Sequence, residues 1–281
     1  MPGWTRALAT RRPWRRHRGF VAGAGVVCLV ALVALLSAVW TPHDPEAVDI
    51  GQRLLPPAGA HPLGTDQFGR DVGSRLAVGA SIALIVAGIS TAISLVLGVA
   101  LGAAAGYAGG VTNELIMRAM DGLLAFPALL LAIAVVAALG PGHWHATLAI
   151  GIVGIPIFAR LTRGVVVSLT AREFVTAARA HGAAPLYVLA RHVLPNAMPP
   201  VITQASLNVG RAILAEAGLS YLGLGTQPPI PSWGKMLQEA QGFLSLAPWL
   251  AVMPGTAIGL TVLAFNVLGD ALRDLLDPRL G

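Results

Sequence analysis

Charged side chains are scarce in this sequence. Only 11% of its 281 residues are Asp, Glu, Lys or Arg, against about 25% in an average soluble domain. So few charges cannot cover the surface of a soluble globule, and a disordered chain needs more of them. Hydrophobic residues make up 55% of the chain, and the mean hydropathy is +0.71. The composition therefore predicts a polytopic membrane protein, with length for about five to seven helices.

Cysteine and several catalytic motifs are also missing. Cys28 is the only cysteine and lies in an apolar run, which excludes a disulfide framework. No Gly-x-x-x-x-Gly-Lys-Ser/Thr loop occurs, so we expect no Walker-type ATP binding by this chain. His-Glu-x-x-His and Gly-x-Ser-x-Gly are absent too, which leaves a membrane hydrolase without visible catalytic residues. We predict a non-enzymatic chain with no catalytic residues and no metal ligands.

Long uncharged runs predict an all-α membrane protein with about six transmembrane helices. A basic tail, 1–18, precedes an uncharged run at 19–40, which is long enough to cross a bilayer at 1.5 Å per residue. The alternative is a cleaved signal peptide, because Arg15-Arg16 resembles a twin-arginine start. A polar, proline-rich segment, 41–78, follows. A core domain, 79–270, then holds further spans at about 79–106, 122–139, 146–168, 198–220 and 247–269, before a short tail, 271–281.

A small residue recurs at every fourth position of the second predicted helix, at Ser90, Ser94, Gly98, Gly102 and Gly106. Such a stripe lets the backbone of another helix approach closely in lipid, although general glycine abundance is an alternative explanation. Farther along, His143 and His145 stand two residues apart, a spacing that a metal pair could use. A Pro/Gly turn beside an interfacial Trp explains this segment more simply.

Basic residues are distributed unevenly between the two predicted sides. Six spans place both termini on one side, which carries 14 of the Arg and Lys residues. The positive-inside rule therefore predicts cytoplasmic termini and a cytoplasmic 169–197 loop. It also explains the pI near 10.6 without nucleic acid as a partner. The other side carries four basic residues, Arg53, Arg70, Arg75 and Lys235.

The basic loop 169–197 has the signals of two short helices joined by a tight turn. Residues 171–181 favour a helix, and Gly182 can adopt the left-handed conformation that closes it. Pro185 suits the first turn of a second helix, which we expect Pro195 to end. A compact projection of this kind could dock on a soluble partner. It could equally be an amphipathic helix lying on the lipid surface.

This loop resembles the EAA loop of ABC importer permeases. The matching positions are Thr176, Ala177, Ala178, Gly182, Leu194 and Pro195. Two positions depart from the family pattern, since Thr176 replaces the usual Glu and His192 the usual Ile. The resemblance implies that the loop contacts an ATPase subunit.

Other segments resemble the C-type permease subunit of dipeptide, oligopeptide and nickel importers, over about 19–280. They include His61-Pro-Leu-Gly-Thr-Asp66-Gln-Phe-Gly-Arg-Asp71, Met117-Arg-Ala-Met-Asp121, Ala159-Arg-Leu-Thr-Arg-Gly164, Leu222-Gly-Leu-Gly-Thr-Gln-Pro-Pro-Ile-Pro-Ser-Trp-Gly234 and Leu263-Ala-Phe-Asn-Val-Leu-Gly-Asp270.

The resemblance implies a type I ABC importer permease, a multi-pass protein of the cell membrane. A second homologous permease would complete the translocation path. Two cytoplasmic ATPase subunits would bind ATP and Mg²⁺, so that this chain itself carries no cofactor. An extracytoplasmic substrate-binding protein would deliver dipeptides or oligopeptides. Nickel chelates, glutathione and haem are alternative cargoes of the same importer class.

Two ionisable residues, Arg211 and Glu216, lie within the fifth predicted span. Such groups are costly in a membrane and usually face a partner or a wet cavity. Their spacing places them about 140° apart on a helix, so they do not form an ion pair on one face. We expect one of them to line the translocation path, with interhelical polar packing as the alternative.

Three other kinds of protein fit the composition. A secondary transporter would bind a coupling ion through intramembrane charges, but it predicts inverted repeats with broken helices, which the sequence does not show. A membrane enzyme lacks candidate catalytic residues here. A scaffold protein would need no mobile permeation path.

Overall fold

The structure, a computed structural model, describes residues 18–276, and this part of the chain is helical without a β-sheet. Short non-α turns occur at Ile50–Gln52, Leu189–Val193 and Gln241–Phe243. The helices are α1 (Arg18–Ser37), α2 (Val72–Ala108), α3 (Gly110–Leu124), α4 (Ala128–Leu139), α5 (His143–Thr170), α6 (Glu173–Ala180), α7 (Pro185–Val188), α8 (Leu194–Tyr221), α9 (Trp233–Ala240) and α10 (Trp249–Leu276).

Four of these helices, α1, α2, α5 and α10, are long and apolar enough to cross a membrane. The bent pair formed by α3 and α4 raises the number to five if it counts as one span. The predicted span at 198–220 lies within α8, which has the length of a span but several polar side chains. Its crossing of the membrane therefore stays a prediction.

The prediction of one helix at 122–139 is wrong. The charged segment that contains Glu114, Arg118 and Asp121 belongs to α3, and α3 meets α4 at an angle of 90°. Pro127 explains the break, because proline disfavours helical backbone in the residue before it and cannot donate a helical hydrogen bond. The backbone of Pro127 is accordingly non-helical, with ψ at 130°.

The stripe of small residues on α2 packs against α5, as predicted. A Cβ at Gly98 would lie 2.5 Å from Cβ of Phe158, and one at Gly106 would lie 2.9 Å from the Arg163 carbonyl oxygen. Ser94 donates a hydrogen bond of 2.7 Å from Oγ to the Gly151 carbonyl. The two backbones therefore approach so closely that larger side chains do not fit along this stripe.

The start of α2 packs over α9, and Arg70, which precedes α2, contacts Glu239 of α9 at 3.0 Å. Trp233, at the start of α9, donates a hydrogen bond of 2.9 Å from Nε1 to the Leu76 carbonyl. Gly79 allows this approach, because a Cβ there would lie 2.7 Å from Cδ1 of Trp233. α9 in turn contacts α8 and α10. The segments that flank the membrane helices on this side thus form one packed layer.

Candidate functional site

The 169–197 loop folds as two short helices around a glycine turn, which we call the knob (residues 173–193). Gly182 has φ of +78°, as the loop sequence predicts. Its N–H donates a hydrogen bond of 2.9 Å to the Arg179 carbonyl, and the Ala183 N–H donates one of 3.2 Å to the Ala178 carbonyl. Pro185 begins α7, also as predicted. The local sequence therefore determines a defined turn here.

Buried valines attach the knob to the ends of two long helices. Val175, Val188 and Val193 are fully buried and pack with Ala103 of α2 and Val166 of α5. In addition, the Arg179 guanidinium lies over the Tyr107 ring, 5.3 Å from its centroid. A knob held by its own apolar core is a rigid body, so a force on its outer face reaches α2 and α5.

The outer face of the knob carries most of the positions that resemble the EAA loop. Thr176, Ala177 and Gly182 are exposed, and Ala178 is half-buried. The knob also exposes larger apolar side chains, with exposed fractions of 41% at Phe174, 75% at Leu186 and 55% at Tyr187. Leu194 and Pro195 are half-buried and lie beyond the knob, in the first turn of α8.

The prediction that Pro195 ends the second helix is wrong. The backbone is helical without interruption from α7 through a π-turn at Leu189–Val193 into α8. Pro195 lies at the first positions of α8. The wider turn explains why it is tolerated there, because a π-turn shifts the hydrogen-bond pattern at the point where a proline ring would meet the preceding helical carbonyl.

Arg211 and Glu216 occupy different faces of α8, as their spacing predicts. Glu216 is buried, and its Oε1 accepts hydrogen bonds from the hydroxyls of Ser220, at 2.6 Å, and Thr226, at 3.5 Å. Arg211 is exposed. Among the residues 18–276 that the structure describes, it has no salt bridge to a carboxylate within 4.0 Å. Glu216 thus joins α8 to the segment before α9, whereas Arg211 points away from the packed helices.

An ion network that the sequence analysis missed joins the polar segment to α9. Arg75 is only 2% exposed and donates from Nη2 to Glu239 at 3.0 Å. Arg70 donates to the same Glu239 oxygen at 3.0 Å and to Asp66 at 2.6 Å. Glu239 is separated from Arg70 by 169 positions in the chain, so no local spacing could have revealed the pairing.

Asp71 lies beside this network and caps the N-terminus of α2. Its Oδ2 accepts a hydrogen bond of 2.7 Å from the Ser74 N–H. Burial alone would raise the pKa of Asp71, but the His61 contact, the hydrogen bonds with Ser74 and the charge of His43 together lower it below its ordinary value. Asp71 is therefore a carboxylate at neutral pH, next to two imidazoles that the sequence analysis did not single out.

A cavity of about 950 Å³ lies between α3 and α5, at the side of the bundle that bears the knob. Its charges are largely compensated, because Arg118 pairs with Glu114 at 3.0 Å and Arg160 pairs with Asp121. Arg163 donates to Oδ1 of Asn113 at 2.5 Å. These contacts involve two segments, 117–121 and 159–164, that resemble the importer permeases in sequence.

The chain is similar to two described families along most of its length. Residues 98–281 match the binding-protein-dependent transport system inner membrane component. Residues 7–57 match the N-terminal TM domain of oligopeptide transport permease C. Together the two matches leave only 58–97 between them.

Individual relatives agree with the family matches. The dipeptide transport system permease protein DppC of Alkalihalophilus pseudofirmus is 42% identical over 275 residues, which cover 95% of this chain and 90% of the relative. The probable D,D-dipeptide transport system permease protein DdpC of Escherichia coli is 42% identical and covers 93% of this chain and 88% of the relative. The glutathione transport system permease protein GsiD of Pectobacterium atrosepticum is 42% identical and covers 98% of this chain and 94% of the relative.

The fold is also similar to a solved structure. A chain of the MetNI methionine ABC transporter, which was solved in inward-facing conformations, superimposes with a TM-score of 0.60. The match covers 72% of this chain and 96% of that one at 17% sequence identity, and at that identity it supports the fold alone.

Proposed function

We propose that this chain, which belongs to the family of binding-protein-dependent transport system inner membrane components, imports peptides together with a second, homologous permease. Membership makes it a multi-pass permease of the inner membrane. The proposal adds the partners, namely two ATPase subunits that bind ATP and Mg²⁺ and an extracytoplasmic binding protein that delivers the solute. It also adds the orientation, with both termini and the knob in the cytoplasm.

The knob is the single observation that carries this proposal. An ATPase subunit can drive a permease only through a rigid element that it contacts and that is connected to the membrane helices. The knob has the buried valine core and the exposed apolar face that such an element requires. Its helices and those of the membrane domain form one continuous structure through the start of α8.

The position of the knob along α5 favours docking over the lipid-surface alternative. The uncharged part of α5 ends at Arg160, and Val166, which anchors the knob, lies about 9 Å farther along the helix axis at 1.5 Å per residue. α5 measures about 42 Å in total, whereas a hydrocarbon core is about 30 Å thick. The knob is thus attached beyond the uncharged part of α5 and beyond Arg163, where a soluble subunit can reach it.

Arg211 is our candidate for a residue of the translocation path. A membrane-embedded cation without a carboxylate partner is costly unless it faces water or a ligand. The exposed face of α8 that carries Arg211 offers such an environment in an assembled channel. Glu216 has hydroxyl partners at 2.6 and 3.5 Å, so we assign it to interhelical polar packing instead.

The relatives support peptides as the cargo, because two of them are named as dipeptide permeases. Glutathione, itself a tripeptide, is the second candidate, since it appears in the name of another relative with the same identity. A shared cargo chemistry of free carboxylates and amides is consistent with a cation such as Arg211 in the path.

Reconstitution of the complete transporter tests the proposal. Proteoliposomes that contain this chain, its partner permease, both ATPases and the binding protein should accumulate labelled dipeptide only with ATP and Mg²⁺. The purified chain alone should hydrolyse no ATP, because it lacks a phosphate-binding loop. Uptake without the ATPases, or hydrolysis by the isolated chain, would contradict the assignment.

A further inference from the structure

A cluster of three potential metal ligands lies in the polar segment at the start of α2. His43, His61 and Asp71 each offer one ligand atom, and these atoms all lie within 4.8 Å of one another. Nδ1 of His61 lies 2.8 Å from Oδ1 of Asp71, and Nδ1 of His43 lies 3.8 Å from the same oxygen. The cluster is separate from the knob and from Arg211.

The hydrogen bonds of Gln52 determine which nitrogen of His61 faces Asp71. The Gln52 amide nitrogen donates to the Asp49 carboxylate at 2.8 Å, so its oxygen is the atom that lies 2.9 Å from Nε2 of His61. An amide oxygen only accepts hydrogen bonds, so Nε2 carries the proton. The other ring nitrogen, Nδ1, faces the Asp71 carboxylate at 2.8 Å, so it is the His61 atom available to a metal ion at the cluster.

When no metal is bound, a proton on Nδ1 of His61 satisfies its contact with Asp71, and a metal ion at the cluster would take the place of that proton. His43 adds a third potential ligand, because its Nδ1 is inaccessible to solvent and has no hydrogen-bond partner. The His43 backbone N–H donates to Oγ of Ser74 at 3.1 Å, which holds this residue against the N-terminus of α2. Three potential ligand atoms thus lie close together. The side-chain oxygen of Gln52 accepts from Nε2 of His61, and oxygen atoms orient the histidine ligands of many protein metal sites in the same way.

We propose that His43, His61 and Asp71 bind a divalent transition-metal ion of the Zn²⁺ or Ni²⁺ type. Two imidazoles and one carboxylate suit such ions better than Mg²⁺ or Ca²⁺, which prefer oxygen ligands. Ligands about 2.1 Å from a tetrahedral ion lie about 3.4 Å apart. The distances of 2.8 and 3.8 Å to the Asp71 oxygen lie on either side of that value, so small side-chain rotations complete the site, with water as the fourth ligand.

The bound ion would fasten two parts of the polar segment to the membrane domain. His43 follows α1, His61 lies 18 residues later, and Asp71 caps α2. The ion thus connects the chain after α1 to the first turn of α2, next to the network formed by Arg70, Arg75 and Glu239. This inference is independent of the transported solute and of the orientation in the membrane.

Metal binding by the full-length chain in lipid nanodiscs tests the site. The protein is purified without a histidine tag, stripped with chelator and titrated with Zn²⁺ and, separately, with Ni²⁺. We expect one equivalent per chain for at least one of the two ions, and His43→Ala should weaken that binding by at least about tenfold. His143→Ala is the matched control, because His143 lies outside the cluster, and it should bind like the wild type.

Co²⁺ provides a second measurement that does not rely on the stability of a variant. A tetrahedral site with two imidazoles should give visible absorption bands in the wild type that Zn²⁺ removes by competition. His43→Asn, which keeps a polar side chain and the backbone hydrogen bond to Ser74, should lose them. The absence of a stoichiometric ion from the wild type, or equal affinity in the His43 variants and the wild type, would overturn the proposal and leave a proton shared by His61 and Asp71.

Discussion

Substitutions at Gly182 can distinguish the coupling of ATP hydrolysis to transport from folding. The free-energy cost of a side chain at this position follows from its backbone conformation. Gly182 has φ of +78°, and a Cβ at this position would have no neighbouring atom within 4 Å. The cost is therefore conformational and amounts to about 1–2 kcal/mol for alanine. A β-branched valine is less compatible still with this region of φ, whereas asparagine tolerates it.

These values are small compared with a typical free energy of unfolding of about 5–15 kcal/mol. The Gly182 variants should therefore reach the membrane in normal amounts. The ratio of knobs with the wild-type turn to knobs with a different turn, however, changes about tenfold for every 1.4 kcal/mol. We expect Gly182→Asn to transport peptide nearly as well as the wild type, Gly182→Ala less well, and Gly182→Val to lose uptake or to hydrolyse ATP without transport.

The assay measures dipeptide uptake, ATP hydrolysis and membrane abundance in parallel for each variant. Gly59→Val is the matched control, because Gly59 also has positive φ, at +50°, and open space around it, but lies in the polar segment after α1. Ala177→Asp should mimic Gly182→Val by placing a charge in the docking face, with Ala60→Asp as its exposed control. If Gly182→Val and Ala177→Asp transport at the wild-type rate, the knob is not the coupling element and the lipid-surface alternative is favoured.

Three further predictions test the orientation and the packing. In a Cys28→Ser background, Gly59→Cys and Gln227→Cys should react with an impermeant maleimide in intact cells, whereas reaction of Ala184→Cys there would reverse the proposed orientation. Glu239→Gln removes the carboxylate that Arg70 and Arg75 share and leaves Arg75 with a more distant carboxylate, that of Asp66 at 3.5 Å. It should therefore lower the free energy of unfolding by about 2–3 kcal/mol, seen as a reduced Tm in detergent. Glu114→Gln should lower it by less than about 0.5 kcal/mol, because the pair of Glu114 and Arg118 is exposed, and equal shifts would contradict the network. Gly102→Ala would bring a Cβ against the Ala159 carbonyl oxygen and should cost about 1–3 kcal/mol by overpacking. Gly88→Ala has open space and should not lower Tm, because alanine favours a helix over glycine.

The sequence predicts those features of the fold that depend on local pattern. Uncharged runs locate the long apolar helices, the four-residue repeat of small side chains identifies the packing face of α2, and Gly182 marks the turn of the knob. Each of these follows from a property of neighbouring residues. The helix at Gly110–Leu124 was missed, because Glu114, Arg118 and Asp121 interrupt the uncharged runs from which the spans were predicted.

The features that the sequence could not predict depend on partners far apart in the chain. Glu239 meets two arginines that lie more than 160 positions away, and His43 lies beside the Asp71 carboxylate while its backbone N–H donates to Ser74. No periodicity in the sequence indicates such contacts. Arg211 and Glu216 could be identified from the sequence, because ionisable side chains are costly inside a membrane. Their spacing predicted that they lie on different faces of α8, but what each side chain contacts depends on how α8 packs in the fold.

The error at Pro195 bears on how the proposed transporter would work. A helix that ended there would leave a flexible joint between the knob and the membrane domain, and such a joint absorbs displacement. The observed backbone is instead helical from Pro185 to Tyr221, and it carries Arg211 and Glu216 on the same element. Glu216 in turn holds the segment before α9 through Ser220 and Thr226. A displacement of the knob by an ATPase would therefore move the α8 face that bears Arg211, with no separate relay between them, because packed helices respond as rigid bodies.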